Sequence, residues 1–538
     1  MDIYYAMTNY HVLCCILHRM ISDKKNKAKL WVSSYLVDDQ PSIIKDLKKS
    51  MIFDDVTIFK EVRFIYYDKK NYTESMIEEE LDNICKGVED YSREIMNSLN
   101  LYVCQDTYGL GIYLNRAGID YNYFEDGCGR LSSPEIEMAL IEDGHPMRAR
   151  LVKKLKCLGK SANVKERYGD LSEQKEGYFN SKDVDFSVKK ILKRLTRDEL
   201  DKILKIYHCR KYNLKKKKKD LLLTWHYNNM NFMSLEEQKL FFTLLVDYFK
   251  MEDEMLFIKP HPSDRQPDYQ EYFEDAVVLE RHMPAELLPF LIDDKFEKGI
   301  TNWSTSIFGL QDILKEIINF DKDIDKTYKD FNKYFAIVKY LDSVKIDGRI
   351  QNLHLIEINE KQLLQLMKYY FEDYKRYYKI SDAKSSIYIV HKYDSKYKNK
   401  KYLAIEKDKD CAFENLLSIK FGEKRECVYL YNLPFSEIQV KKVMKYSGCE
   451  LEVNFVSLNQ YIDSLNQEIV TKNKEIGMLK EEEKKKVEDL NAVVDDYKGK
   501  LETVKKELND IINSSSWKIT KPLRKLNSVR VKNERRKD

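Results

Sequence analysis

The sequence predicts an α/β protein: two parallel-sheet domains in tandem, a further small α/β unit, and a long C-terminal coiled coil. Three observations carry that expectation. Short apolar runs alternate with helix-spaced segments twice over, once before and once after a basic stretch that ends in Lys215–Lys219. Strands alternating with helices build a parallel sheet covered on both faces. At 538 residues the chain also exceeds a single core, since domains usually hold about 100–200 residues. Finally, from 457 to 512 apolar residues recur at spacings of three and four.

In the first domain, expected over 1–150, the strand candidates are Ile3–Met7, Leu30–Ser34, Val56–Phe59, Leu101–Cys104 and Tyr121–Phe124. A loop at Thr8–Tyr10 leads into a helix from about His11 to Ile21, and Gly109–Asn115 opens another. Residues 151–219 read as a basic helical linker. The second domain, expected over 220–326, has strand candidates at Leu221–Trp225, Met255–Lys259, Val277–Leu279 and Gly299–Asn302. Helices are expected at Ser234–Lys250, from Pro284, and after Ser306. Two such units predict two Rossmann-like domains facing each other across a cleft.

Residues 327–456 are rich in Lys and Tyr, with strands expected at Ser386–Val390, Cys427–Tyr431 and Glu450–Phe455. Within 457–512, Val487, Leu490, Val494, Tyr497, Leu501, Val504, Leu508 and Ile511 form an a/d seam. Ile462, Leu465, Ile469, Ile476 and Leu479 follow the same rule in another register. Joining the two needs a four-residue stutter near Glu483–Lys486. Polar Lys472 and Glu483 weaken the seam. The segment is expected to make a homo-oligomer or to dock a partner enzyme. The tail 513–538 sets Trp517, Ile519, Leu523 and Leu526 among Lys and Arg. That pattern suits an anionic membrane surface or a solvated basic tail.

Charge is high at 34% but balanced at +4 overall, which argues against nucleic acid as a partner. Ten cysteines show no CxxC pair and no zinc spacing, so they read as reduced thiols, and no metal site is expected. The N-terminus lacks the basic region and cleavage site of a signal peptide, and no run of about 18 apolar residues occurs. The expected place is the cytoplasm, with a peripheral position on the inner face of the membrane as the variant.

Three clusters carry chemistry. Glu125-Asp126-Gly127 follows the strand ending at Phe124. Adjacent carboxylates at the carboxyl end of a strand raise at least one pKa and suit a general base, although an Asx-type turn has the same signature. Lys259-Pro260-His261-Pro262 follows the strand Met255–Ile258. The prolines fix the backbone around a histidine that can donate a proton or a hydrogen bond to a leaving phosphate. Asn302-Trp303-Ser304-Thr305-Ser306 precedes an apolar segment, where hydroxyls suit an anion site or simple helix capping. Between them, Pro284 suits a helix start, and Glu286 a first-turn carboxylate or a ribose contact.

In order and placement these clusters resemble the bacterial sialyltransferase and polysialyltransferase families of the GT-B fold. Those families carry a D/E-D/E-G motif in the first domain, then an HP motif and a Ser/Ser-or-Thr pair in the second. Here these are Glu125-Asp126-Gly127, His261-Pro262 and Ser304-Thr305, over roughly residues 1–325. Thr8-Asn9-Tyr10-His11-Val12-Leu13 matches the family's opening strand and loop. The resemblance implies an inverting, metal-independent transfer of sialic acid or a related nonulosonic acid from a CMP-activated donor to a surface or capsular glycan, with no cofactor. It implies Glu125 as the base, with Asp126 as the fallback, and His261 on the departing phosphate. Ser304 and Thr305 would bind that phosphate, with Lys259, Pro262 and Ser306 beside them, and Glu286 would hold the ribose. Thr8, Asn9, His11 and Gly127 would line the acceptor side. The chain departs from the pattern in that its hydroxyl motif is Ser-Thr-Ser after a Trp, which leaves open which two hydroxyls face the phosphate.

The Lys-Pro-His-Pro motif with a Ser/Thr-rich phosphate site also resembles the CDP-glycerol or CDP-polyol phosphotransferases of teichoic-acid type. A third reading is a non-catalytic scaffold of a polysaccharide-assembly complex, built around the coiled coil.

Overall fold

The computed structural model describes residues 1–514 and 520, apart from 23–24, 68–70, 126–133, 174–181, 215–216, 265–268, 303, 320–323, 383–386, 398, 408–412 and 423. Strands β1 (Asp2–Ala6), β2 (Ala28–Ser33), β3 (Asp55–Phe59), β4 (Asn100–Cys104), β5 (Tyr121–Phe124), β6 (Val164–Gly169) and β7 (Asp183–Asp185) form one sheet. Their order is β3-β2-β1-β4-β5-β6-β7, and every neighbouring pair is parallel. All five residues of β1 are buried, as a strand covered on both faces requires.

Strands β8 (Lys219–Leu223), β9 (Met255–Lys259), β10 (Val277–Val278), β11 (Phe296–Thr301) and β12 (Leu314–Asn319) form a second sheet in the order β10-β9-β8-β11-β12. It too is wholly parallel. In each sheet the first strand lies inside and the chain winds outward in both directions. The order reverses between β1 and β4 and between β8 and β11, and such switch points place ligands at the carboxyl ends of the strands. The two parallel α/β sheets expected from the sequence are therefore present.

The stretch 151–219 is not the helical linker that its basic composition predicts. Strands β6 and β7 within it extend the first sheet, joined by an Arg167–Asp183 ion pair of 2.5 Å. Of the β6 sequence VKERYG only Val164 and Gly169 are buried. A strand with so little buried apolar content, next to the short edge strand β7, reads as a charged loop. The helix Arg197–Ile206 carries a Thr196–Glu199 capping box and buries Ile203, Leu204 and Ile206. These side chains join an apolar cluster that runs from Tyr4 and Val12 in the first domain to Leu223 and Leu288 in the second.

Two expected helices of the second domain are short. The one from Pro284 is a 3-10 turn, Ala285–Phe290, with Pro289 inside it, where a missing N–H prevents α-helix continuation. The one after the hydroxyl motif is a single turn, Ser306–Gly309, before the chain enters β12.

The unit after residue 327 is larger than its three legible strands. Strands β13 (Gln351–Ile356), β14 (Tyr378–Ile380), β15 (Ile387–Lys392), β16 (Tyr402–Glu406), β17 (Asn415–Phe421), β18 (Lys424–Tyr431), β19 (Gln439–Val443) and β20 (Glu450–Ser457) make one mixed sheet. It shares an apolar core with the helix Leu235–Phe249 of the second domain. Asp247 on that helix accepts from the backbone N–H groups of Tyr446 and Ser447, at 3.0 and 3.2 Å. Stacked tyrosines Tyr393, Tyr402 and Tyr431 account for part of the tyrosine content.

A 56-residue helix, Leu458–Asn513, follows. Only its first turns touch the body, where Arg425 reaches Ser464 Oγ at 2.7 Å and Glu468 at 2.7 Å. Residues 466–514 are exposed throughout. The helix runs unbroken through Glu483–Lys486, where the expected stutter lies. The apolar tail anchors Trp517, Ile519, Leu523 and Leu526 lie outside the described residues. Among the described residues no helix is long and apolar enough to cross a membrane.

Candidate active site

The carboxyl edges of both sheets converge on one cavity of about 350 Å³. Thr8, Asn9 and Tyr10 enter it from the turn after β1, and Thr224 from the end of β8. Lys259, His261 and Pro262 follow β9, Glu286 follows β10, and Ser304, Thr305 and Ser306 follow β11. A second cavity of about 190 Å³ shares Tyr10, Glu286 and Gly309 with the first and is lined by Glu125 from the end of β5. Residues read separately along the sequence thus meet in two adjoining spaces.

His261 is held on every side. Its backbone N–H donates to Thr224 Oγ1 (3.1 Å), and that hydroxyl donates to the buried Asp264 (3.0 Å). The imidazole stacks on His226 at 4.4 Å and lies 4.4 Å from the Trp225 ring. Nδ1 accepts from the Ser263 N–H at 3.1 Å. An accepting Nδ1 leaves the ring proton on Nε2. Burial, with the charges of His226 and Lys259, pushes the pKa down to about 2. Burial thus favours the neutral imidazole, whose Nε2–H can donate a hydrogen bond into the cavity.

Lys259 lines the cavity, yet its ammonium is turned to the backbone. Nζ donates to the carbonyls of Pro260 (2.6 Å) and Arg281 (2.9 Å). Burial lowers its pKa to about 8. It fixes the Lys-Pro-His-Pro loop more directly than it offers a free cation to a ligand.

On the facing wall, Thr8 caps the helix Asn9–Ile21, accepting from the His11 N–H at 3.2 Å. The Asn9 side chain is 3% exposed, and its buried Oδ1 has no hydrogen-bond partner. Its backbone carbonyl accepts from Tyr207 OH at 2.9 Å. A buried amide oxygen beside a cavity invites a ligand donor. Glu125 and Glu286 both act on the Tyr10 hydroxyl, whose pKa burial, Cys14 and these two carboxylates raise strongly. His11 corrects the sequence reading. It is fully buried, accepts from the Met7 N–H at 3.4 Å, and lines neither cavity. A histidine one turn into a helix can point to the core as readily as to the cleft, and here it stays under the turn. Asp126, Gly127 and Trp303 lie outside the described residues.

Sequence reasoning missed Thr224, Trp225 and His226. They follow a strand whose end was read only as apolar, and a Thr-Trp-His run at a carboxyl end was the available signal. It also missed a bridge between the domains. Asp39 of the first domain binds Arg281 and His282 of the second, each at 3.0 Å. Among the described residues no three His, Cys, Asp or Glu side chains gather as a metal-binding group.

No family model matches the sequence, and no curated protein matches it. Solved structures similar to the chain include a UDP-GlcNAc 2-epimerase from Neisseria meningitidis, 12% identical over 57% of this chain and 79% of that one, TM-score 0.33. A spinosyn rhamnosyltransferase is 10% identical over 62% and 85%, TM-score 0.32. An α/β-galactoside α-2,3-sialyltransferase from the marine bacterium Photobacterium phosphoreum is 12% identical over 68% and 94%, TM-score 0.31. The fold assignment rests on the strand order of the chain itself.

Proposed function

We propose that the chain is an inverting, metal-independent glycosyltransferase that moves sialic acid, or a related nonulosonic acid, from a CMP-activated donor to a cell-surface or capsular glycan. The observation that supports this best is the cavity itself. A neutral, immobilised His261 and the hydroxyls of Ser304, Thr305 and Ser306 face Asn9 and Tyr10, with Glu125 in the adjoining space.

In this reading Glu286 holds the cytidine ribose, and His261 and the hydroxyl cluster hold the phosphate. Glu125 takes the proton of an acceptor hydroxyl, with Asp126 its neighbour in the chain. The acceptor oxygen attacks the anomeric carbon, forming the new glycosidic bond. The bond from that carbon to the phosphate oxygen breaks, and its electron pair leaves with CMP. The His261 Nε2–H hydrogen-bonds the developing charge, a contact that strengthens as the bond breaks. The donor and the glycan acceptor are the small-molecule partners, and the protein works in the cytoplasm. The exposed seam of the long helix pairs with a second copy.

The test is nucleotide release in the presence of EDTA, with CMP-sialic acid, CDP-glycerol and a UDP-sugar offered in parallel. CMP from CMP-sialic acid alone supports the proposal. Glu125→Gln and His261→Ala should then each lower turnover by about 10²–10³-fold while the fold survives. CMP from CDP-glycerol alone, with phosphate in the product, establishes the polyol phosphotransferase instead. Silence with all three, together with no binding of CMP, favours the scaffold.

A further inference from the structure

A third cavity, of about 470 Å³, belongs wholly to the first domain. Its wall is built from the same carboxyl edge that presents Asn9 and Glu125. Tyr35 follows β2, Arg63 and Tyr67 follow β3, Tyr108 follows β4, and His145 and Arg148 lie beyond β5. The sequence reading assigned nothing to these residues.

Arg148 is the informative one. It is 8% exposed, and its Nε and Nη1 groups are buried without a hydrogen-bond acceptor. Its guanidinium lies 4.3 Å over the Tyr108 ring, which holds the plane of the fork but takes none of its N–H groups. A buried cation lacking an acceptor is costly in a folded chain. The guanidinium presents paired N–H groups along its Nε/Nη2 and Nη1/Nη2 edges, either of which matches an oxyanion, and each edge contains one of the two orphaned nitrogens. Around it, Tyr35 meets Tyr108 edge-on at 6.2 Å, and Tyr67 meets His145 at 4.8 Å. Arg63 stands exposed at the rim.

The Tyr108 loop is itself rigid. Asp106 is fully buried and accepts from Tyr121 OH at 2.6 Å and from the backbone N–H of Leu158 and Gly159 at 2.7 and 3.0 Å. At Gly111 a Cβ would stand 2.3 Å from the Asp106 backbone, so only glycine lets the helix Gly109–Ala117 seat against this loop. The nearby carboxyl, Glu61, acts on Tyr35, and burial holds it protonated up to about 7.

We propose that this cavity is the subsite for an acidic sugar residue of the acceptor, with Arg148 forking its carboxylate or phosphate and Tyr35, Tyr67 and Tyr108 supplying faces for the ring. The proposal rests on the glycosyltransferase reading for the word acceptor, and on Arg148 alone for the anion. It makes the protein a selector of acceptors that already carry negative charge.

The experiment is calorimetric titration of the full chain with lactose, sialyllactose and lactose 1-phosphate, at low and high salt. The acidic probes should bind at least about tenfold tighter than lactose, with the advantage shrinking as salt rises. Whichever acidic probe binds tighter identifies the oxyanion as carboxylate or phosphate. Arg148→Met keeps the stem over Tyr108 and should erase the advantage of the acidic probes. Arg148→Lys keeps the charge without the fork and should retain only part of it. The melting temperature of Arg148→Met should not fall, because no hydrogen bond is lost. Should that variant misfold, Arg63→Gln at the exposed rim serves instead, with an expected loss of about threefold. Equal binding of all three probes, or an advantage unchanged in the variants, overturns the proposal. Donor cleavage without acceptor is measured alongside and should stay unchanged in the variants. A failure of the glycosyltransferase reading shows there, and a failure of the subsite shows only in the titrations.

Discussion

At the scale of single residues the chain uses burial to set charge states. His261 is kept neutral by its surroundings, so the pH–rate profile should carry no ionisation of this residue between pH 5 and 9. His261→Asn, which retains a donor, should keep more activity than His261→Ala. Equal losses would mean that the N–H is not the working group. Glu61 gives a pH test of the fold. It accepts from Tyr5 OH at 2.6 Å, and burial raises its pKa from 4.5 to about 7. Between those values the folded chain keeps a proton that the unfolded chain has released. Stability therefore falls as pH rises across that window, by up to about 3 kcal/mol. Glu61→Gln should flatten the slope and raise the midpoint of urea unfolding at pH 8. An unchanged slope would assign the loss to other groups.

At the scale of elements, the central strands were legible because a parallel strand buried on both faces is a continuous apolar run. Ile3–Met7, Val56–Phe59, Tyr121–Phe124 and Met255–Lys259 fall on or within a residue of their observed strands. Strands β6 and β7 were not legible, since β7 is a three-residue edge strand and β6 beside it buries only its two end residues. The site divided in the same way. Motifs at strand ends announce themselves, and His261, Glu286 and Ser304 do stand together. Asn9 was expected from the resemblance, but that its side-chain oxygen is buried without a partner required coordinates. His11 misled because helix phase, not residue type, decides which way a side chain points. The long helix tests its own periodicity. Val487, Leu490, Val494, Leu501 and Leu508 are all exposed in a single chain. A seam of that length in water favours a partner. Light scattering should give a whole multiple of the chain mass, and Val494→Asp with Leu501→Asp should reduce it to one. A monomeric parent chain would refute the pairing.

At the scale of the whole molecule, two continuous cores tie three units together. One spans both Rossmann-like domains, and the other joins the second domain to the eight-stranded sheet. The units of the two parallel sheets meet across the cleft at Asp39, which holds Arg281 and His282 close to the His261 loop. In the proposed reading, charges so placed would set how the two sheets' units settle about a donor. Asp39→Asn keeps the shape and weakens the ion pair, and should raise the KM for donor with a smaller change in kcat. A fall in kcat alone would place Asp39 in chemistry rather than in closure. Composition concealed this organisation. A balanced charge and a high tyrosine content say nothing about which units share a core, and the union of the third unit with the second depends on helix Leu235–Phe249 serving both sheets.

The helix Leu458–Asn513 also sets a length. Fifty-six residues at the α-helical rise extend about 84 Å, several times the width of either sheet. If its far end is tethered, the cleft becomes a tool on a boom, working at a height fixed by the helix and sweeping a shell of that radius. An acceptor too close to the tether, or too far beyond the sweep, would fall outside its reach, so in the proposed reading acceptors would be sorted by where they stand as well as by their chemistry.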